Sequence, residues 1–238
     1  MSTFQLEDRV GDLVAHRPAL SRVFEQVGID YCCGGKKSLL EACRTKGLDP
    51  QTLLAHLEAS AQGLGDEPVV DALGMSLTEL ANHIEQTHHA YLRSDLPRLD
   101  MLTKKVSAVH GDTEPRLHQV RETFLMLQDD MMNHMAKEEQ ILFPMIRQLE
   151  ASAKAPGFHC GSLANPIFQM EREHDQAGGA LERLGELTDG FTPPDWACNS
   201  YRAMIDGLAH IEQDMHQHVH KENNVLFPRA IDMERVKS

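Results

Sequence analysis

The chain reads as an all-α protein, an antiparallel four-helix bundle preceded by a small helical N-terminal domain. Three observations predict this. Runs of alternating β-branched residues, the mark of half-buried strands, are absent. Helix start and stop signals recur along most of the 238 residues. An eleven-residue string occurs twice, 84 residues apart, as expected of two related helical hairpins stacked into one bundle.

In residues 1–62, Pro18 opens a segment that stops at Gly28. Ser38 and Glu41 then form a capping-box pattern ahead of a helix ended by Gly47, and Asp49-Pro50 starts another. Residues 63–75 are rich in Gly, Pro and acidic side chains and read as a linker with a reach of roughly 20 Å, at about 5–6 Å × √n. Ser76 and Glu79 repeat the capping-box pattern and open residues 76–238. Four helical segments follow, at about 77–109, 115–149, 166–188 and 194–232, broken at HGDTEP, APGFHCGSLANP and TDGFTPP. Pro97 falls inside the first and is expected to kink it, and the stretch 155–166, with His159 and Cys160, is longer than a bundle connection needs.

With 41% hydrophobic and 25% charged residues, a packed core is within reach. The 23 basic and 36 acidic side chains leave a charge of −13, which argues against nucleic acid or an anionic membrane as partner. Nearly all of it falls beyond residue 65, because the first part carries seven basic and eight acidic side chains. The N-terminus lacks the pattern of an export signal, no run of 18 apolar residues occurs, and five cysteines are too few and too uneven for a secreted disulfide framework. A reducing cytoplasm is therefore expected. Fourteen histidines in so short a chain point to metal.

The repeated string runs from His134 to Pro144 and from His218 to Pro228, with six of eleven positions identical. In each copy a Glu follows the His by four residues (Glu138, Glu222), which puts imidazole and carboxylate on one helix face. A lone pair of this kind is usually a surface contact worth a few tenths of a kcal/mol, but its duplication favours a site. The third segment offers His174. The first offers His88 or His89, of which the register favours His89 while His88 stays open. His89, His134, Glu138, His174, His218 and Glu222 then form a set able to hold two ions bridged by the two Glu. Imidazole with carboxylate suits iron, with manganese next, whereas structural zinc would recruit Cys. Such a set leaves room for an oxo or hydroxo bridge and a small diatomic ligand.

For Leu142, Phe143, Leu226 and Phe227 plain core packing is expected, with Pro144 and Pro228 ending or kinking the helix, and for Met126, Met131, Met132 and Met135 core filling. His16, His56, His83, His118, His210, His216 and His220 read as solvated or locally hydrogen-bonded. Glu85-x-x-His88 and Glu171-x-x-His174 mimic a ferritin-like signature, yet the other two segments carry His-x-x-x-Glu where that class has a lone Glu.

These motifs, with Glu173-His174-Asp175, Arg93 to Pro97 after His89, and Ile29-Asp-Tyr-Cys-Cys-Gly-Gly35, resemble the hemerythrin-like di-iron proteins. Over nearly the whole chain the resemblance is to the Repair of Iron Centres family, the iron-sulfur cluster repair proteins of ScdA type. It implies a hemerythrin-like bundle with two iron ions per chain. It also implies a cytoplasmic stress protein that repairs apo or damaged iron-sulfur proteins after nitric oxide or oxidative stress, by donating iron. A di-iron nitric oxide reductase producing nitrous oxide, and a hemerythrin-like module binding oxygen or nitric oxide, are the alternatives, and a homodimer is compatible with either. The family also draws attention to His110. A straight helix would set it about 31 Å from His89 at ~1.5 Å per residue, so it is left out of the ligand set.

Cys32 and Cys33 are assigned the reactive role. Lys36, Lys37 and the amino end of the Ser38-capped helix all favour thiolate, and adjacent cysteines bridge only with strain. Transient iron binding, S-nitrosylation or thiol exchange is the expected chemistry. Cys43 and Cys198 are expected to be buried.

Overall fold

A computed structural model describes residues 4–63 and 70–238. Among them there is no strand, only two isolated bridges, Arg9 with Ser38 and Phe158 with Gly161. The N-terminal part comprises α1 (Val10–His16), a 3-10 turn (Pro18–Leu20), α2 (Ser21–Gln26), α3 (Leu39–Lys46) and α4 (Pro50–Gly63). Helix α3 starts where the sequence places it, with both bonds of the Ser38/Glu41 capping box present, and stops at Gly47 in the left-handed region (φ 67°). Residues 64–69 of the expected linker lie outside the described residues.

The four bundle segments are α5 (Leu77–Ile84) with α6 (Ala90–His110), α7 (Arg116–Lys137) with α8 (Phe143–Ala151), α9 (Ala164–Leu187), and α10 (Asn199–Lys221) with α11 (Phe227–Lys237). In ring order α6 packs on α7, α7 on α9, α9 on α10 and α10 on α6. Helix α5 is capped twice, by the Ser76/Glu79 box and by Glu150, which accepts the Leu77 and Thr78 N–H groups at 2.8 Å each. Helix α6 runs through Pro97 without a break, giving up one backbone bond.

Three of the four segments change winding part-way along, two of them just before the prolines that sequence reading expected to end or kink the helix. Glu85–His89, Glu138–Leu142 and Glu222–Leu226 are one-turn π-segments. Two have a cause in the repeat. Pro144 and Pro228 lack the N–H that an α-helix would donate four residues back, and their rings would strike that carbonyl, so the turn before each widens. The π-segments begin at Glu138 and Glu222 and, in the first segment, end at His88 and His89.

Two apolar clusters lie at either side of these turns. One joins Leu92, Leu96, Phe124, Met131, Met135, Leu181 and Met215 to the N-terminal residues Phe24, Tyr31 and Leu39. The other gathers Leu77, Leu80, Leu142, Phe143, Ile167, Leu226 and Phe227, and each such side chain contributes roughly 1.5–3 kcal/mol by leaving water. The N-terminal helices therefore share a core with the bundle, where sequence reading gave them about 20 Å of independent travel.

Asn224 makes the join. Its amide donates to the backbone carbonyls of Tyr31 (3.2 Å) and Cys32 (2.9 Å), and its Oδ1 lies where a Cβ on Gly11 or Gly35 would sit, 2.4 Å from either position. The Tyr31 hydroxyl donates to Glu25 at 2.7 Å and accepts from Gln217 at 2.8 Å. Glycine is thus required at 35 by close approach, since a Cβ there would also meet the Tyr31 carbonyl at 2.6 Å.

The stretch 155–166 also has a place. Ser162 Oγ donates to Glu234 at 2.6 Å, Leu163 N–H donates to the same carboxylate, and Ala155 N–H donates to the Lys237 carbonyl at 3.0 Å, which ties the loop to α11. Met131 and Met135 are buried as expected, but Met126 (56% exposed) and Met132 (42%) lie on the outer face of α7 and fill no core.

Gly35→Ala should press a methyl group into Asn224 and the Tyr31 carbonyl, costing about 1–3 kcal/mol, or roughly 2–4 °C in Tm per kcal/mol. A thermal melt checks it, with metal content expected to match the parent because no ligand lies at that contact.

Candidate metal centre

His89, His134, Glu138, His174, His218 and Glu222 come together between the two apolar clusters, all buried. Two overlapping groups form. His89, Glu138, His218 and Glu222 offer ligand atoms within 4.8 Å of one another, and so do His134, Glu138, His174 and Glu222. Both Glu side chains belong to both groups, as bridging carboxylates would. His89 and His134 each bring Nε2 to 3.3 Å from Glu138 Oε2, and His174 and His218 lie 3.1 Å from Oε2 and Oε1 of Glu222.

The nitrogens facing inward are unprotonated in the neutral rings, because the outward ones donate. His89 Nδ1 donates to Glu139 at 2.7 Å, His134 Nδ1 to Glu173 at 2.9 Å and His174 Nδ1 to Asn223 at 2.8 Å. Arg93 holds the other Glu139 oxygen at 2.6 Å, and Lys137 holds Glu173. Inside, His134 Nε2 meets His174 Nε2 at 3.0 Å, lone pair against lone pair, and His89 Nε2 lies 3.2 Å from His218 Nε2. Both Glu138 oxygens and Oε2 of Glu222 are buried without a hydrogen-bond partner. Lone pairs and carboxylates packed together out of water demand positive charge. Metal ions fit this donor set, and the outer hydrogen bonds are those that orient metal-bound imidazoles.

The protonation tendencies agree. Burial pushes the Glu222 carboxyl up, but the neighbouring His218 and His174 imidazoles outweigh it and hold the group well below the usual carboxylate range. Burial likewise opposes charge on His134, yet the Glu138 and Glu173 carboxylates outweigh it and raise the imidazole to about 10. The cage attracts cations, and protons take that place when nothing else does.

Phe143 and Phe227 do more than fill the core. Phe143 stacks on His89 (centroids 5.8 Å apart) and Phe227 on His174 (6.1 Å), which braces both imidazoles.

His88 is buried but turned away, with its Nδ1 donating to Asp214 at 2.7 Å and its Nε2 accepting from Lys221 at 2.7 Å. The ferritin-like signature is not assembled, since Glu85 pairs with Arg147 and Glu171 with Lys36. His110 sits at the far end of α6, its Nε2 3.3 Å from Cys198 Sγ. That thiol is exposed, contrary to the buried position expected of it, whereas Cys43 is buried. Of the seven histidines expected to be solvated or locally bonded, His16 donates to the Asp12 carbonyl, His118 meets Ser107, and His56 and His210 are exposed. His220 accepts from Asn224, four residues on, at 3.3 Å, and is buried against the Tyr31 ring (5.5 Å) in the seam between the N-terminal helices and α10.

Cys32 is buried and Cys33 half-buried, in a turn organised by Asp30. That carboxylate accepts the N–H groups of Cys32 and Cys33 at 3.0 Å and of Gly34 at 2.8 Å, and the Cys32 thiol at 3.2 Å. The expected thiolate is not favoured at Cys32. Its bond with Cys33, burial and the Asp30 charge together push the thiol well up. The lysine invoked to lower it, Lys36, reaches instead to Glu171 at 2.7 Å. Beside the turn a cleft of about 370 Å³, lined by Glu25, Asp30, Cys32, Glu212 and His216 among others, opens between the N-terminal helices and α10.

A bundle with this centre defines the class, and the chain belongs to the hemerythrin HHE cation binding domain family, whose profile matches residues 80–230. Residues 6–61 match a second profile, ScdA_N, a domain of unknown function (DUF542). The chain is 39% identical over 224 residues to the iron-sulfur cluster repair protein YtfE of Enterobacter sp. (strain 638) and to that of Escherichia coli O157:H7, covering 93% of this chain and 96% of each. It is 38% identical over 227 residues to the YtfE protein of Musicola paradisiaca (strain Ech703), covering 94% and 96%. Among the described residues no helix is long and apolar enough to cross a membrane.

Glu138→Gln or Glu222→Gln should each drop metal content below that of the parent, since a neutral amide does not balance a cation's charge. His56→Gln and His118→Gln should retain it in full. Elemental analysis of the purified variants reads this directly.

Proposed function

We propose that this protein holds two iron ions per chain, bridged by Glu138 and Glu222, and repairs iron-sulfur clusters damaged by nitric oxide or oxidants by giving up iron to the damaged or apo protein. The observation that carries this reading is the pair of overlapping His/His/Glu/Glu groups, whose carboxylate oxygens and imidazole lone pairs face one another with no counter-charge. His89, His134, His174 and His218 would bind the ions and Glu138 and Glu222 would bridge them. When bound, the ions supply a reservoir of ferrous iron and a place for a small diatomic molecule.

The residues around the centre bind, orient and exclude water. Glu139, Glu173 and Asn223 orient three of the rings, and Phe143 and Phe227 seal two of them. Cys32 and Cys33 are the receiving arm. Asn224, two residues beyond Glu222, donates to the Cys32 carbonyl, so the cysteine turn is bonded to the π-segment that starts with the bridging carboxylate. The Asp30, Cys32 and Cys33 side chains converge within 4.8 Å, a soft and anionic donor set for iron in transit. The working place of such a protein is a reducing cytoplasm.

Anaerobic mixing of the reduced, iron-loaded protein with an apo iron-sulfur acceptor should restore the acceptor's cluster with iron from the bundle. Nitrous oxide formed from added nitric oxide with no iron transferred would overturn donation. Cys32→Ser/Cys33→Ser should keep the parent's iron content while restoring the acceptor at least several-fold more slowly. Restoration at the parent's rate would confine both cysteines to packing.

A further inference from the structure

The centre has an approximate two-fold symmetry that exchanges the two copies of the repeated string, and of the contacts that brace the four rings one lacks a counterpart under it. His89 Nδ1 donates to Glu139, and His174 Nδ1 donates to Asn223, which stands at the same place in the second copy. Phe143 on His89 is matched by Phe227 on His174. The third contact is His134 Nδ1 on Glu173, the residue just before His174, with Lys137 behind it. Symmetry asks for the same acceptor on His218 from the residue just before His89, with Lys221 behind it.

That residue is His88. Lys221 reaches it at 2.7 Å as Lys137 reaches Glu173, but an imidazole does not do the work of the carboxylate. The ring of His88 lies flat on that of His218 (centroids 5.2 Å, interplanar angle 1°), and its own Nδ1–H is spent on Asp214. His218 Nδ1 is left buried with no hydrogen-bond partner. The charge of Lys137 meets a carboxylate directly, whereas that of Lys221 meets a neutral ring, with Asp214 on the ring's far side.

We propose that the two metal positions are unequal for this reason, and that the ion between His89 and His218 is the one given up, while the ion between His134 and His174 stays. The proposal rests on the metal-centre reading above. A metal-bound imidazole backed by an acceptor is fixed in tautomer and orientation and is a more basic ligand, and losing such a partner typically costs about 10–100-fold in affinity. In the His134/His174 position both rings have an acceptor. In the His89/His218 position one has none. His88 and Glu173 are thus positioning residues that decide which ion is exchangeable.

The test uses the full chain loaded anaerobically with iron(II) and mixed with excess ferrous chelator, following release by absorbance. Two phases of equal amplitude are expected, with rates about 10–100-fold apart. Glu173→Gln should speed the slow phase and leave the fast one alone. His88→Glu/Asp214→Asn, which puts a carboxylate beside His218 Nδ1 and removes the neighbouring like charge, should slow the fast phase toward the other. Release of two ions in one phase from the parent would overturn the inequality while leaving the centre intact. A fast phase that responds to Glu173→Gln would overturn the assignment of the positions. Failure to take up iron at all would overturn the metal-centre reading itself.

Discussion

Two carboxylates and four imidazoles are buried together out of water, and much of the bundle is arranged to make that arrangement tolerable. Removing one partner from a buried charged set typically costs about 3–5 kcal/mol, so Glu138 and Glu222 depend on the imidazoles that meet them, His134 and His218 from the same helical segment and His89 and His174 from another. The apolar clusters on either side supply the stability and keep water out. Their boundary falls at the π-segments, which place the ligands in one layer.

The repeat explains how one chain builds such a layer. Each copy contributes a ligand His, a bridging Glu, an outer acceptor for a ring on the preceding helix, and a Phe that stacks on that same ring. One short string therefore specifies both the coordinating atoms and much of their support. Divergence between the copies, Glu139 against Asn223, and between the preceding helices, Glu173 against His88, leaves the ligands paired and their supports unequal. Asn224 in the second copy has a further task that Gln140 in the first does not share: it bonds the cysteine turn to the bundle.

Much of this is legible in the sequence. The all-α architecture follows from punctuation and period, and the six side chains that the structure brings together are marked by the repeat and its register. What the sequence leaves unread has physical causes. Helical period does not report one extra residue in a turn, so Pro144 and Pro228 predict an end or a kink where the chain instead widens into a π-segment and runs on. Neighbours in sequence are not neighbours in charge, and Lys36 sits near Cys32 in the chain but spends its ammonium on Glu171, while Asp30 closes over the thiol. Nothing in the sequence says why two glycines follow the cysteines, and the second is there because Asn224 and the Tyr31 carbonyl leave no room for a Cβ. Exposure is equally hidden, as Cys198, Met126 and Met132 show.

The central claim, that Glu138 and Glu222 hold two ions between paired histidines, is tested most directly by anomalous diffraction at the iron edge from crystals of the iron-loaded protein. Two peaks are expected, one flanked by His89 and His218 and the other by His134 and His174, both in contact with the two carboxylates. A single peak there, or iron found only at Asp30, Cys32 and Cys33, would contradict it.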